Sequence, residues 1–186
     1  MEINGKKITK AAKTMAKSDS LFLGRSGEHY YICNGFWLVK VHRQWYNEIF
    51  RPVSARFVEL EDGQGANTRD NKAIPDKSEP IDFKNIIGEN ICTSENQVDI
   101  TSYLAETERN GLVRIIENKE TMMTVNNDFM EMMKNLMGEV NWYGTENVTY
   151  KPIYTDFDQD LAGLVLPVRP DAVKSSYKVV RKSAVA

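Results

Sequence analysis

The sequence predicts an α+β fold in which two helices pack on one side of antiparallel sheets. Two amphipathic segments, at 6–17 and 128–137, carry apolar residues at helical spacing. The dipeptide Asn34-Gly35 lies between aromatic-rich apolar runs, which is typical of a tight β-hairpin. The apolar segments at 148–157 and 161–168 predict a closing pair of antiparallel strands. A chain of 186 residues is long enough for one domain with a substantial core.

The first helix is expected over 6–17, with Asn4 as its cap and a polar stop at 18–20. At 100° per residue, one side of this helix carries four lysines within about 60° of one another. They are Lys6, Lys10, Lys13 and Lys17. The opposite side carries Ile8, Ala11, Ala12, Met15 and Ala16. We therefore expect a buried apolar face and an exposed lysine stripe.

The strands follow from the apolar runs and the turn residues between them. Strands are expected at 21–23, 30–33, 36–41 and near 53–60, and a second hairpin joins 112–116 to 121–125. The second helix, 128–137, has Asn126 or Asn127 as its cap and Gly138 as its stop. Its apolar stripe consists of Phe129, Met132, Met133 and Leu136. This order suggests two similar α+β halves, although the residues themselves show no clear repeat.

We expect a single domain over 1–170. Within it, 61–80 reads EDGQGANTRDNKAIPDKSEP and offers few side chains for a core, which predicts a long loop or insertion. An apolar pattern resumes at 81–87 and 91. After Pro170 the chain is polar and basic, and this composition favours a disordered tail at 171–186.

Charge is divided along the chain. The net charge is −2, but residues 1–57 hold 10 basic and 4 acidic groups, residues 58–168 hold 9 and 21, and residues 169–186 hold 5 and 1. Such a chain can present a local positive surface to a polyanion, because screening makes the nearest charges count most. The N-terminus lacks the apolar region of a secretory signal and no apolar run could span a bilayer, so we expect a cytoplasmic protein without membrane contact.

Three segments of the last third resemble the end of a DNA polymerase sliding-clamp domain of the bacterial beta-subunit type. They are TVNNDFMEMMKNLM at 124–137, YKPIYTDF at 150–157 and LAGLVLPVR at 161–169. The opening MEINGKKITKAAKTMAKS is similar to the first strand and helix of such a domain. The resemblance implies a sliding-clamp-like fold without enzymatic activity, with DNA or replication proteins as partners. It also implies a homo-oligomer, since a ring built from this chain alone would need six copies.

The candidate DNA-binding residues are basic side chains, which neutralise phosphates without reading bases, and the resemblance implies this role for the first helix because the family's helices meet DNA phosphates through such residues. They are Lys6, Lys10, Lys13 and Lys17 in the first helix, and Lys174, Lys178, Arg181 and Lys182 in the tail. A solvated helix face and a solubilising tail explain the same residues. An alternative function is a protein interaction module with a clamp-like fold and no DNA binding, which the acidic residues of the second helix favour. We hypothesise a phage or mobile-element source.

The sequence predicts no catalytic residue, no metal site and no cofactor. Cys33 with His42 or His29 could be a nucleophile and base, but the hairpin between them does not bring Cys33 and His42 together. Asp156, Asp158 and Asp160 alternate but lack the glycine and glutamate of a calcium loop. A group of aromatic residues is better explained by core packing than by base stacking. These are Tyr30, Tyr31, Phe36, Trp37, Trp45 and Tyr46.

Overall fold

The computed structural model describes residues 5–69, 72–76, 92–107, 111–118, 121–138, 140–144, 153–157, 161–168 and 178–182. The helices are α1 (Gly5–Met15), α2 (Arg43–Trp45) and α3 (Asn127–Met137). A π-helical turn (Tyr46–Phe50) and a 3-10 turn (Arg51–Val53) extend α2, and a further 3-10 turn spans Ser94–Asn96. The strands are β1 (Ser20–Ser26), β2 (His29–Cys33), β3 (Trp37–His42), β4 (Gly65–Arg69), β5 (Lys72–Asp76), β6 (Gln97–Thr107), β7 (Gly111–Asn118), β8 (Thr121–Asn126), β9 (Trp142–Tyr143), β10 (Ile153–Phe157), β11 (Leu161–Val165) and β12 (Lys178–Lys182).

The strands pair in the order β5-β4-β1-β2-β3-β11-β10-β9-β6-β7-β8, and β12 pairs with β6. Every pairing is antiparallel. The central pair is β3 with β11, in which Val39 lies opposite Gly163. In the sheet, β3 is followed outward by β2 and then β1, and β11 is followed outward by β10 and then β9. The chain thus forms two halves, α1-β1-β2-β3 and α3-β9-β10-β11, in agreement with the duplication that the element order suggests.

Both long helices pack on one face of this sheet and on each other. The core contains the buried sides of α1 and α3 together with inward residues of β1, β2, β3 and β11. At the centre, Gly163 faces α3, and a Cβ there would lie 2.5 Å from Cε of Met137 and displace the end of that side chain. The predicted α+β class, with two helices on antiparallel sheets, is confirmed.

The hairpins form where the turn residues predict them. At the β2–β3 turn, the Asn34 side chain accepts hydrogen bonds from the backbone of Phe36 and Trp37 at 3.0 and 3.2 Å. Gly35 has a φ of 90°, which glycine adopts without strain. Strands β7 and β8 form the second predicted hairpin, with Ile116 opposite Met123.

The second helix begins and ends as predicted. Asn126 is its N-cap, and the side-chain oxygen accepts from the backbone nitrogens of Asp128 and Phe129. Gly138 ends the helix with a φ of 76°. Leu136 is buried, but Phe129 is only half-buried. We expect the apolar stripe of this helix to be buried at both of these residues; this is correct for Leu136 and wrong for Phe129, which lies at the rim of the core, where its ring faces that of Phe36 at 6.2 Å.

The strand predicted near 53–60 was wrong. This segment follows a 3-10 turn and has no strand partner among the described residues. Two buried phenols take the backbone bonds that a ladder would have made: Tyr46 donates to the Val58 carbonyl at 2.8 Å, and the Tyr30 hydroxyl bonds the backbone of Leu60. Apolar residues here are buried as anchors of an irregular segment rather than along a strand.

The expectation of a loop at 61–80 was wrong for its central part. Strands β4 and β5 form a hairpin there, and the whole of β4, from Gly65 to Arg69, pairs with residues 20–24 of β1. Ala66 and Thr68 of this strand are buried. A segment of small and polar residues can form a strand here because the edge of β1 supplies its hydrogen-bond partners. Residues 70–71 and 77–80, and the apolar pattern at 81–91, lie outside the described residues. In the basic tail, residues 178–182 form β12, which pairs with β6, while 171–177 and 183–186 lie outside the described residues, so disorder of the tail as a whole stays a prediction.

Candidate nucleic-acid interface

The exposed side of α1 carries only basic and small polar residues. Lys6, Lys10 and Lys13 are exposed, as the helical spacing predicts, and Lys7 is exposed beside them. Lys17 is exposed too, but it follows α1, which ends at Met15 rather than at the predicted residue 17. The helix contains no carboxylate. Its other side is buried in the core through Ile8, Ala11, Ala12 and Met15. Because this apolar side is fixed, the lysines are held on the outer surface.

Four of these lysines are not paired with a carboxylate within the described part of the chain. There, Lys6, Lys10, Lys13 and Lys17 form no ion pair, and the ion pairs found join Arg51 to Glu59 and Arg114 to Glu131. An ammonium group without a carboxylate partner keeps its full charge for a ligand. The outer side of α1 is therefore a concentrated positive surface on a chain whose net charge is −2.

Arg56 fixes the C-terminal end of α1. Its side chain is 4% exposed. It donates to the backbone oxygens of Ala16 at 2.9 Å, of Ser18, and of Asp19 at 3.4 Å, which follow the helix. It also donates to the backbone oxygen of Thr68 in β4 at 2.8 Å. A guanidinium can satisfy several carbonyls at once, so Arg56 joins the end of the lysine helix to the sheet.

The exposed side of α3 has a different charge. Asp128, Glu131 and Lys134 are exposed there. Alignment of the two helices on their buried residues places Met15 at the position of Leu136 and Lys10 at that of Glu131. Because both helices pack on the same sheet face and on each other, their exposed sides form one outer surface. One half of this surface is basic and the other half is mixed.

Glu131 is held in place by a residue of β7. The Arg114 side chain pairs with the Glu131 carboxylate at 3.0 Å. Its other nitrogens donate to the Asn127 side chain and to the Thr101 backbone oxygen, each at 3.0 Å. The Arg114 side chain is 11% exposed and that of Glu131 is 50% exposed. The carboxylate therefore faces solvent and the guanidinium lies beneath it.

The predicted DNA-binding residues of the tail lie on a different element from the α1 lysines. Lys178, Arg181 and Lys182 belong to β12, beside β6, and Lys174 lies outside the described residues. Whether the tail contributes phosphate contacts stays a prediction, as does the DNA-binding role of the α1 lysines.

The Cys33 and His42 pair is not brought together. Cys33 lies opposite Leu38 at one end of the β2–β3 pairing, whereas His42 lies opposite His29 at the other end. The two imidazole centroids are 5.7 Å apart. Burial raises the pKa of the Cys33 thiol above its usual value, which opposes formation of a thiolate nucleophile.

No group of three or more potential metal ligands forms among the residues that the structure describes. Of the three alternating aspartates, Asp156 lies in β10, while Asp158 and Asp160 fall outside the described residues.

Most of the aromatic group packs in the core, as expected. Tyr30, Trp37 and Tyr46 are buried, and the rings of Tyr30 and Tyr46 stack at 3.7 Å. Tyr31 and Trp45 are half-buried. Phe36 is the exception, with 60% of its surface exposed at the tip of the β2–β3 hairpin.

Sequence reasoning missed Lys7, Arg56 and Arg114. Lys7 lies beside the predicted stripe and could have been included by allowing a wider helical face. Arg56 and Arg114 gave no sequence signal, because their partners are distant in the chain and are met only in the folded protein. No helix in the described ranges has the length and apolar composition needed to cross a membrane.

Comparisons with known proteins find similarity at the level of structure. No protein-family model and no curated protein sequence matches the chain. The chain is similar to the DNA polymerase III beta subunit of Thermotoga maritima, with 12% identity, a TM-score of 0.44, and coverage of 91% of this chain and 65% of that one. The beta subunit of Pseudomonas aeruginosa is 10% identical, with a TM-score of 0.45 and coverage of 90% of this chain and 65% of that one. The sliding clamp of Bartonella birtlesii is 8% identical, with a TM-score of 0.45 and coverage of 89% of this chain and 65% of that one. The chain spans just under two thirds of the length of each of these chains.

Proposed function

We propose that this chain is a non-enzymatic, clamp-fold protein that holds duplex DNA by its backbone phosphates against α1. The observation that carries the proposal is the exposed side of α1 with the residues directly after it, which presents lysines and no carboxylate. The lysines there that form no ion pair among the described residues are Lys6, Lys10, Lys13 and Lys17. Lysines neutralise phosphates and release counterions without reading base edges, so the proposed binding is independent of DNA sequence.

The geometry of α1 suits a regular polyanion. A rise of 1.5 Å per residue separates Lys6, Lys10 and Lys13 by about 6 and 4.5 Å along the helix axis. One DNA strand offers a phosphate about every 3.4 Å along its axis. Each lysine therefore has a phosphate within reach of its flexible side chain. The buried side of α1 and the Arg56 anchor keep these lysines in a fixed row.

We also propose that the chain acts as an oligomer in the cytoplasm, in DNA replication or on a replication assembly. A single helix with four or five lysines gives weak attachment, and closure around DNA would convert it into retention. Strands β5 and β8 end the strand order, and since the outer side of β8 is already bridged by Pro167 and Val168, β5 is the edge that we propose for pairing with a second copy. Determination of the mass in solution tests this part, since a monomer would remove retention by closure.

A second candidate function is a protein interaction module without DNA binding. Two observations favour it: Phe36 is 60% exposed at a hairpin tip, and Asp128 and Glu131 make the exposed side of α3 partly acidic. Exposed aromatic residues are frequent anchors of protein interfaces.

Titration of a labelled duplex with the assembled protein, at about 50 and 200 mM salt, separates the two functions. We expect binding that weakens steeply with salt, and a log-log slope that falls by about two when Lys10 and Lys13 are both replaced by glutamine. Lys134→Gln is the matched control, because Lys134 occupies in α3 the position of Lys13 in α1. Absence of binding at low salt by folded protein would remove the DNA proposal and favour the interaction module. Binding unchanged by the double replacement would move the site to the basic tail.

A further inference from the structure

We infer that Glu131 is a specificity-determining residue that restricts phosphate binding to the α1 half of the surface shared by α1 and α3. This inference rests on the proposed function and refines it, because it states which part of the surface a duplex contacts. The two helices pack side by side, so their axes lie about 8–10 Å apart. This separation is comparable with the Debye length at about 0.1 M salt, so a phosphate that lies across the boundary between the two helices is repelled by Glu131 with only partial screening.

The Arg114 network gives the carboxylate a fixed position. Arg114 holds Glu131 at 3.0 Å and is itself held by Asn127 and by the Thr101 backbone. A freely rotating glutamate could swing away from an approaching phosphate, whereas this carboxylate is tethered from below. It is the more exposed member of the ion pair, at 50% against 11% for Arg114. A phosphate that approaches α3 therefore meets the negative group first.

Arg114 cannot take over the phosphate. Three of its nitrogens already donate, to Glu131, Asn127 and Thr101. A move toward the surface would break the bonds to Asn127 and Thr101 and leave a buried amide and a backbone oxygen without those partners. The cation thus supports the carboxylate and adds little to any phosphate contact.

Charge reversal at Glu131 tests this inference against the same labelled duplex. Glu131→Lys should tighten binding at low salt and raise the log-log salt slope by about 0.9, because one more phosphate is neutralised. Glu117→Lys is the matched control: Glu117 is an exposed glutamate of β7, three residues from Arg114 and so on the opposite face of the strand, and the change in net charge is identical. The control should leave the slope unchanged.

Glu131→Gln provides a second variant in which the amide oxygen can still accept from Arg114. It should tighten binding about two- to three-fold at low salt, since a repulsive charge is removed without a new contact, and leave the slope unchanged. Circular dichroism establishes that each variant is folded. Equal effects of Glu131→Lys and Glu117→Lys, or no effect of Glu131→Lys and Glu131→Gln on a wild type that binds through α1, would overturn the inference alone. Failure of the wild type to bind at low salt would remove the proposed function together with it.

Discussion

Helices α1 and α3 occupy equivalent positions in the two halves. Their buried sides are alike in being apolar, whereas their exposed sides carry different charges. Met15 and Leu136 are both buried at matching positions, whereas Lys10 corresponds to Glu131. Packing on a common sheet constrains the inner side of each helix, because a core tolerates little change in volume. The outer side is under no such constraint. The two helices therefore show that the fold and the charge of its surface are set by separate residues.

The largest expected effect tests the shared buried side. Met15→Ala and Leu136→Ala should each lower the free energy of unfolding by about 2 to 5 kcal/mol, because each leaves a cavity in one continuous core. Urea unfolding of the two variants measures both values. A loss below about 1 kcal/mol in only one of them would show that the two helices are not equivalent in packing.

Phe129 tests where the equivalence of the inner sides ends. It corresponds to the buried Ile8 of α1 but is half-buried, beside the exposed Phe36. Phe129→Ala should cost about 1 to 2 kcal/mol, less than Leu136→Ala, since only part of the ring leaves an apolar environment. If the same unfolding experiment gave Phe129 the larger loss, the ring would belong to the core as fully as Leu136.

The helix cap provides a smaller effect confined to α3. Asn126→Ala removes the side-chain acceptor of two backbone nitrogens and should cost about 1 kcal/mol. Asn126→Gly is the matched control and should cost only a few tenths of a kcal/mol, because glycine leaves the helix end open to water. Thermal melting of both variants gives the difference. Equal losses would mean that the cap bond contributes little.

The smallest effect concerns the exposed side of α1. Replacement of Lys10 and Lys13 by glutamine should change stability by no more than about 0.5 kcal/mol each, because exposed lysines without ion pairs contribute little to folding. Thermal melting beside the wild type measures this. A larger loss would assign the lysines a structural role and weaken the reading of α1 as a ligand surface.

Much of the fold was predictable from short-range patterns. Helical spacing placed both helices, Asn34-Gly35 placed the first hairpin, and Asn126 with Gly138 set the ends of α3. The failures arose where long-range partners override local pattern. Apolar residues at 53–60 gave a false strand because Tyr30 and Tyr46 bond that backbone, and the polar segment at 65–69 became a strand because β1 offered an edge.

Local sequence patterns account for the amphipathic helices, the hairpins and the exposed lysine row, because each depends on residues within about one helical turn or one β-turn of each other. Three features arise only from long-range packing: α1 and α3 share one outer surface, Arg56 anchors α1, and Arg114 holds Glu131. These contacts join groups from 12 residues apart, as for Arg56 and Thr68, to at least 112 apart, as for α1 and α3, and an ion pair or buried hydrogen bond forms only after the core has brought its groups within about 3 Å. Local pattern therefore fixed which charges the surface carries, and packing fixed which of them lie together.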